Sequence, residues 1–211
     1  VRLDLLQDSD HRAVCEVRGP ATYWHVVTDA RRAENLAYAY ADAPTGWEDL
    51  RNLMTFRWND IDHWYEEDEE VFVHPRGPNH RVDVCRSSRH VQVALDGVVL
   101  ADTARPLALF ETGMPTRWYL PRADVVLGRL TPTTTRTQCP YKGIAEYYAI
   151  DTGAGPVADL AWTYSFPVTQ CRRIEQHICF FSERVDMTID GVPQPRPVTK
   201  WENAIPERDL V

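Results

Sequence analysis

Residues 1–62 and 125–186 carry one pattern written twice. Shifted by 124 positions, sixteen of the 62 ungapped pairs are identical. Cys15-Glu-Val-Arg-Gly19 falls on Cys139-Pro-Tyr-Lys-Gly143, Tyr23-Trp24 on Tyr147-Tyr148, and Ala37-Tyr-Ala-Tyr40 on Ala161-Trp-Thr-Tyr164. Further along, Leu50 meets Ile174, Phe56 meets Phe180 and Asp62 meets Asp186. A single register held this long predicts two copies of one domain, for which a chain of 211 residues has room. The expected organisation is a first repeat over 1–73, a connector over 74–90, a complete second repeat over 91–192 and a Pro-rich tail over 193–211. The first copy has no counterpart of the strand-like runs between Val91 and Pro121. Either those strands lie outside this sequence or another element completes its sheet, because an unpaired edge and a bare apolar face are both costly.

The runs inside each copy are short, β-branched or aromatic, and broken by turn residues. Thr22 to Val27, Asn35 to Tyr40 and Leu53 to Trp58 read as strands in the first copy. The second adds Val91 to Leu95, the Asp96-Gly97 hairpin signal, Val98 to Ala101, Leu107 to Glu111 and Arg117 to Leu120. Asp124 to Leu130, Thr131 to Gln138, Glu146 to Ile150, Leu160 to Tyr164, Ile178 to Phe181 and Val185 to Ile189 complete the set. One short helix per copy is expected, near Thr45 to Leu50 and Thr169 to Gln176, with the threonine as its cap. The predicted class is all-β: two tandem β-tent-like or small barrel-like domains. The acidic run Glu66 to Glu70 reads as a solvated strand end or hairpin. Pro193, Pro195, Pro197 and Pro206 keep the tail out of any central strand and lay it over a surface.

Charge and cysteines bound the function. A net charge of −8 without a basic stripe argues against nucleic acid. No apolar run approaches the roughly 20 residues of a membrane helix, and no basic, apolar leader opens the sequence at Val1. Five cysteines without a C-x-x-C pair fit neither a disulfide framework nor a zinc ribbon, so a reducing cytoplasm is expected. His63, His74 and His80 near the acidic run match no metal-ligand spacing, and no metal or cofactor is expected.

Val98-Val-Leu-Ala-Asp102, Phe110-Glu111, Trp118-Tyr119-Leu-Pro121, Cys139-Pro-Tyr-Lys-Gly143, Ala161-Trp-Thr-Tyr164 and Phe180-Phe-Ser-Glu-Arg-Val-Asp186 together resemble domain-of-unknown-function family 427 in a tandem, two-copy form. Residues 91–190 span a whole domain of that kind and residues 1–62 its later two thirds. His74 to Asp83 resembles the joining segment. The resemblance implies a β-tent-like fold, similar in shape to methionine-sulfoxide-reductase B and to the thalidomide-binding domain of cereblon. It brings no settled activity. The family's nucleotidyltransferase-like label finds neither a glycine-rich phosphate loop nor a recognisable Asp pair for magnesium here.

Candidate chemistry centres on Cys139 and Lys142. A thiol beside a cation can serve as a nucleophile, and Lys142, one of only two lysines with Lys200, can hold an anion. The plainer alternative is a buried cysteine and a lysine reaching out of a turn. Arg18 stands at the place of Lys142 in the first copy, so lysine covalent chemistry in both copies is excluded. Tyr119, Tyr147, Trp162 and Tyr164 are expected to line a small-molecule pocket or else to be core. Tyr23, Tyr38 and Tyr40 are first-copy counterparts of that aromatic set. Glu111 and Arg117 flank a turn, as a surface ion pair or as the polar end of the pocket. The expected function is binding of a small anionic or aromatic ligand near Lys142, Trp162 and Tyr164; a protein-interaction module, or an enzyme using Cys139 and Lys142, are the alternatives.

Overall fold

Alternating side chains and frequent turns lay the chain out in strands, and the computed structural model, which describes residues 2–203 and 205, is mainly β. Its sheets have open edges and none closes into a barrel. The chain divides into two units, Val1–Val71 and Phe72–Val211. Pro206 of the tail lies outside the described residues.

The first unit is an antiparallel meander of β1 (Leu6–Cys15), β2 (Gly19–Val27), β3 (Arg32–Ala39) and β4 (Met54–Phe56), in that order across the sheet. β1 escaped the sequence reading because its middle, Gln7 to Arg12, is wholly polar. A short hairpin of β5 (Tyr65–Glu66) and β6 (Glu69–Glu70) carries the acidic run. The expected helix is a 3₁₀ turn over Glu48–Asn52, and its cap position is Trp47 rather than Thr45. No side chain caps the turn; the Glu48 carboxylate accepts the N–H of Gly46, which lies before the cap position, at 2.8 Å.

In the second unit β7 (Val82–Arg86), β8 (Val91–Leu95), β9 (Val98–Thr103), β10 (Leu107–Glu111) and β11 (Arg117–Leu120) precede β12 (Leu130–Cys139), β13 (Gly143–Asp151) and β14 (Pro156–Thr163). Then come β15 (Ile178–Phe180), β16 (Asp186–Ile189) and β17 (Val192–Gln194). Seven strands form the main sheet in the order β12-β13-β14-β15-β11-β10-β7, and β17-β16-β8-β9 form a second. Val82–Arg86, expected within the connector, therefore belongs to the main sheet as its edge. Asp124 to Leu130, expected as a strand, is mostly two 3₁₀ turns with a single bridge from Val125 to Ala101. Pro193 is tolerated because β17 lies at an edge. Over Thr169–Ile174 the helix is again 3₁₀, capped at Val168 without a side-chain bond.

Both faces of the seven-stranded sheet are buried. On β11, Leu120 enters one cluster and Tyr119 the other; on β15, Ile178 and Phe180 enter the first and Cys179 the second. The second sheet supplies Val91, Val93, Leu100 and Met187 to the first cluster. Tyr119, Tyr147, Trp162, Tyr164 and Phe181 fill the second, under Cys171 and Ile174 of the 3₁₀ turn and with Trp201 and Ile205 of the tail packed against it.

Local devices recur at the spacing of the sequence repeat. β1, β2, β3 and β4 have the bounds of β12, β13, β14 and β15 less 124. Register slips occur between Asp8 and Arg12 in β1 and between Pro132 and Arg136 in β12. At each slip an arginine donates to two strand carbonyls: Arg12 to Ser9 and His11, Arg136 to Thr133 and Thr135. Positive φ recurs at Asn35 and Asp159, both 53°. Ser9 donates to the Asn35 side chain; Thr133 and Thr135 donate to Asp159.

The turn that leads into β13 leaves no room for a side chain. Gly143 has φ +104°, and a Cβ there would lie 3.1 Å from the Phe166 carbonyl oxygen. The expected cost of Gly143→Ala is about 1–3 kcal/mol in urea unfolding, whereas Gly19→Ala, with 3.5 Å available, loses less.

Candidate functional site

The turn between β12 and β13 projects Lys142 back over the second cluster. Its N–H closes the turn on the Cys139 carbonyl at 3.3 Å, and its own carbonyl accepts the Val168 N–H at 3.1 Å. Clamped at both ends, the lysine is 9% exposed. Its Nζ donates to Oε2 of Glu111, the last residue of β10, at 2.5 Å. The other carboxylate oxygen of Glu111 lies 3.3 Å from Nε2 of His80. The His80 ring stacks on Tyr141 at 4.2 Å, and the Tyr141 hydroxyl accepts the Gly77 N–H at 2.7 Å. Lys142 and His80, from separate stretches, thus meet at the Glu111 carboxylate, with Tyr141 stacked on the histidine.

An ammonium has three donors. Among the described residues Glu111 is the only acceptor for Lys142, although both side chains are only 11% exposed. The other Lys142 N–H groups have no acceptor among the described residues.

The neighbouring thiols are of two kinds. Cys171 is fully buried; burial pushes its thiol up to about 11, with the charges of Cys139 and Glu111 adding to the rise and Lys142 opposing it. It therefore stays a protonated, inert thiol at neutral pH. Cys139 is half-buried, and no histidine or carboxylate among the described residues hydrogen-bonds its thiol. All five cysteines are free.

The aromatic residues expected to line a pocket fill space instead. Tyr119, Tyr147, Trp162 and Tyr164 are each less than 7% exposed. Three of the four polar tips are bonded internally: the Trp162 Nε1–H donates to the Tyr119 hydroxyl at 3.2 Å, and Tyr147 shares a 2.8 Å bond with Thr137. Burial raises the Tyr164 hydroxyl well above its ordinary range, as it does for Tyr119.

Arg117 and Glu111 do not form the expected surface pair. Arg117 instead makes a two-pronged ion pair with Glu183 at 2.6 and 2.7 Å, with side chains 6% and 0% exposed. Thr199 of the tail donates to the same carboxylate at 2.6 Å, and Ser182 accepts from Arg117 at 3.1 Å. Trp162, Phe181 and Trp201 surround the guanidinium at 5.6–5.8 Å. Water is excluded on that face of the sheet, so the fork-shaped partner outcompetes a more distant carboxylate. Glu183 and Thr199 carry no sequence signal that marks them as partners of Arg117.

The first unit does not reproduce the ionic group. Arg18 is exposed and lies 5.4 Å from the Trp47 ring, and no carboxylate among the described residues pairs with it. Tyr23, Tyr38 and Tyr40 are half-buried; Tyr23 stacks on Tyr38 at 5.4 Å, and Tyr38 meets Tyr40 edge to face at 5.8 Å between rings. His63 pairs with Glu70 at 2.6 Å, while His74 contacts the Pro75 carbonyl. No group of three or more metal-ligating side chains occurs among the described residues. No described helix is long and apolar enough to cross a membrane.

Burial alone would raise the Glu183 carboxyl, but the hydrogen bonds and charge of Arg117 outweigh it and hold it below the ordinary range. A depressed carboxyl contributes stability above its unfolded pKa, about 4.3, and that stability is lost as pH falls through the folded value. Arg117→Met should cost about 3–5 kcal/mol, since it strands a buried carboxylate. Arg117→Met combined with Glu183→Leu should recover most of that loss and flatten the acid limb of stability against pH, as measured by urea titrations between pH 3 and 7.

Residues 1–67 and 83–191 match the model of the family described as a domain of unknown function, DUF427, and the chain belongs to that family. No curated protein matches it.

Proposed function

We propose that this family member binds a small anionic ligand at Lys142, Glu111 and His80, on the aromatic platform of Tyr141. The observation that carries the reading is the nearly buried ammonium of Lys142, which has three donors and, among the described residues, the single acceptor Glu111. An oxyanion brought to those donors would meet a cation already desolvated, where charge-assisted hydrogen bonds are strongest. Trp162 and Tyr164 support the site from beneath as packed core. Catalysis through Cys139 draws less support, because no histidine or carboxylate among the described residues bonds its thiol as a base would. We also infer that the two units are copies of one domain, of which the second kept the lysine–carboxylate pair. The free thiols fit a reducing, cytoplasmic setting.

Thermal unfolding in the presence of phosphate, citrate or salicylate tests the proposal. At a hundredfold excess over Kd at least one of these should raise the melting temperature by roughly 5 °C or more, and Lys142→Ala should abolish the shift. If every shift survives Lys142→Ala, or none occurs, the interaction-module reading replaces this one.

A further inference from the structure

We propose a second binding site, for a small carboxylate or phosphate monoester, in the recess between the Glu183-Arg184 turn and tail residues 196–203. The recess encloses about 340 Å³ and shares no lining residue with the Lys142 group. Small-molecule sites begin at roughly this size. Arg184 forms part of its wall, with the guanidinium 4.4 Å from the Phe181 ring centroid. One Nη donates to the Asp159 carbonyl, while the buried Nε–H has no acceptor. No carboxylate among the described residues lies within ion-pair distance of it.

A half-buried cation with no direct ion pair is costly, and such groups are usually paired; Asp159 and Glu183 act on Arg184 only at longer range. Glu183, beside it in sequence, does not serve that purpose: both of its oxygens are taken by Arg117 and one also by Thr199. Burial accordingly depresses the Arg184 guanidinium, and a bound anion would relieve that penalty. Arg196, held at 2.7 Å to Asp186, adds positive charge to the wall. Pro197 and Val198 give the recess an apolar side suited to the carbon body of a small acid. Glu202 is an exposed acid in the wall and opposes anion entry.

The test is calorimetric titration of the whole chain with inorganic phosphate and, separately, with succinate. At least one should bind. Arg184→Gln, with its fold checked by circular dichroism, should weaken binding about tenfold or more, the loss expected for a hydrogen bond to a charged group. Arg196→Ala, on an exposed side chain, should weaken it several-fold, and Glu202→Gln should strengthen it. Lys142→Ala should leave the affinity unchanged, and hydrogen exchange across residues 196–203 should slow on binding. Absence of binding by both probes overturns the proposal, as does affinity unaltered in Arg184→Gln. Should Arg184→Gln not fold, unaltered affinity in Arg196→Ala overturns it equally. Binding lost in Lys142→Ala would move the anion to the other site and also overturns it.

Discussion

The central strands of the second unit's seven-stranded sheet bury both faces, and an ion set against the second face needs a partner inside the protein. Tyr119, Cys179 and Trp162 turn to that face while Leu120, Phe180 and Leu160 turn to the other. With water excluded, a charge left alone would cost several kcal/mol. Arg117 meets this constraint with a two-pronged carboxylate and three surrounding rings. Lys142 meets it only in part, with one carboxylate for three donors, and Arg184 with a single carbonyl. The degree to which each cation is satisfied separates structural pairs from candidate binding sites.

A different constraint, the pairing of backbone carbonyls, explains the local devices on the edge strands β1 and β12. A register slip leaves strand carbonyls without their ladder partners. Arg12 and Arg136 supply the missing donors from within their own strands. The positive φ at Asn35 and Asp159 suits residues whose short polar side chains tolerate it, and hydroxyls from the next strand but one, β1 or β12, then bond those side chains. Such arrangements need several residues at fixed spacing, which is why they recur at an interval of 124.

Periodicity made most strands legible. Val91 to Leu95 alternates, Asp96-Gly97 takes the two positive φ values of a tight hairpin, and Pro193 marks an edge. Legibility failed where polar side chains do structural work across strands. β1 looks like a loop because its stabilising contacts are hydroxyl and guanidinium bonds, which leave no hydrophobic period. Thr45 satisfied the rule for a cap, but the turn begins only after Trp47, which stands at the cap position without a side-chain bond.

For the candidate site, the sequence determined the ingredients: a cationic turn at Cys139 to Gly143, aromatic strands behind it and Glu111 at a strand end. Strand pattern and turn chemistry are local, so they survive without coordinates. Which carboxylate each cation would meet was decided only by the tertiary structure. Glu183 lies 66 positions from Arg117 and His80 lies 31 from Glu111, and ion pairing depends on distance and burial in space, to which separation along the chain is no guide.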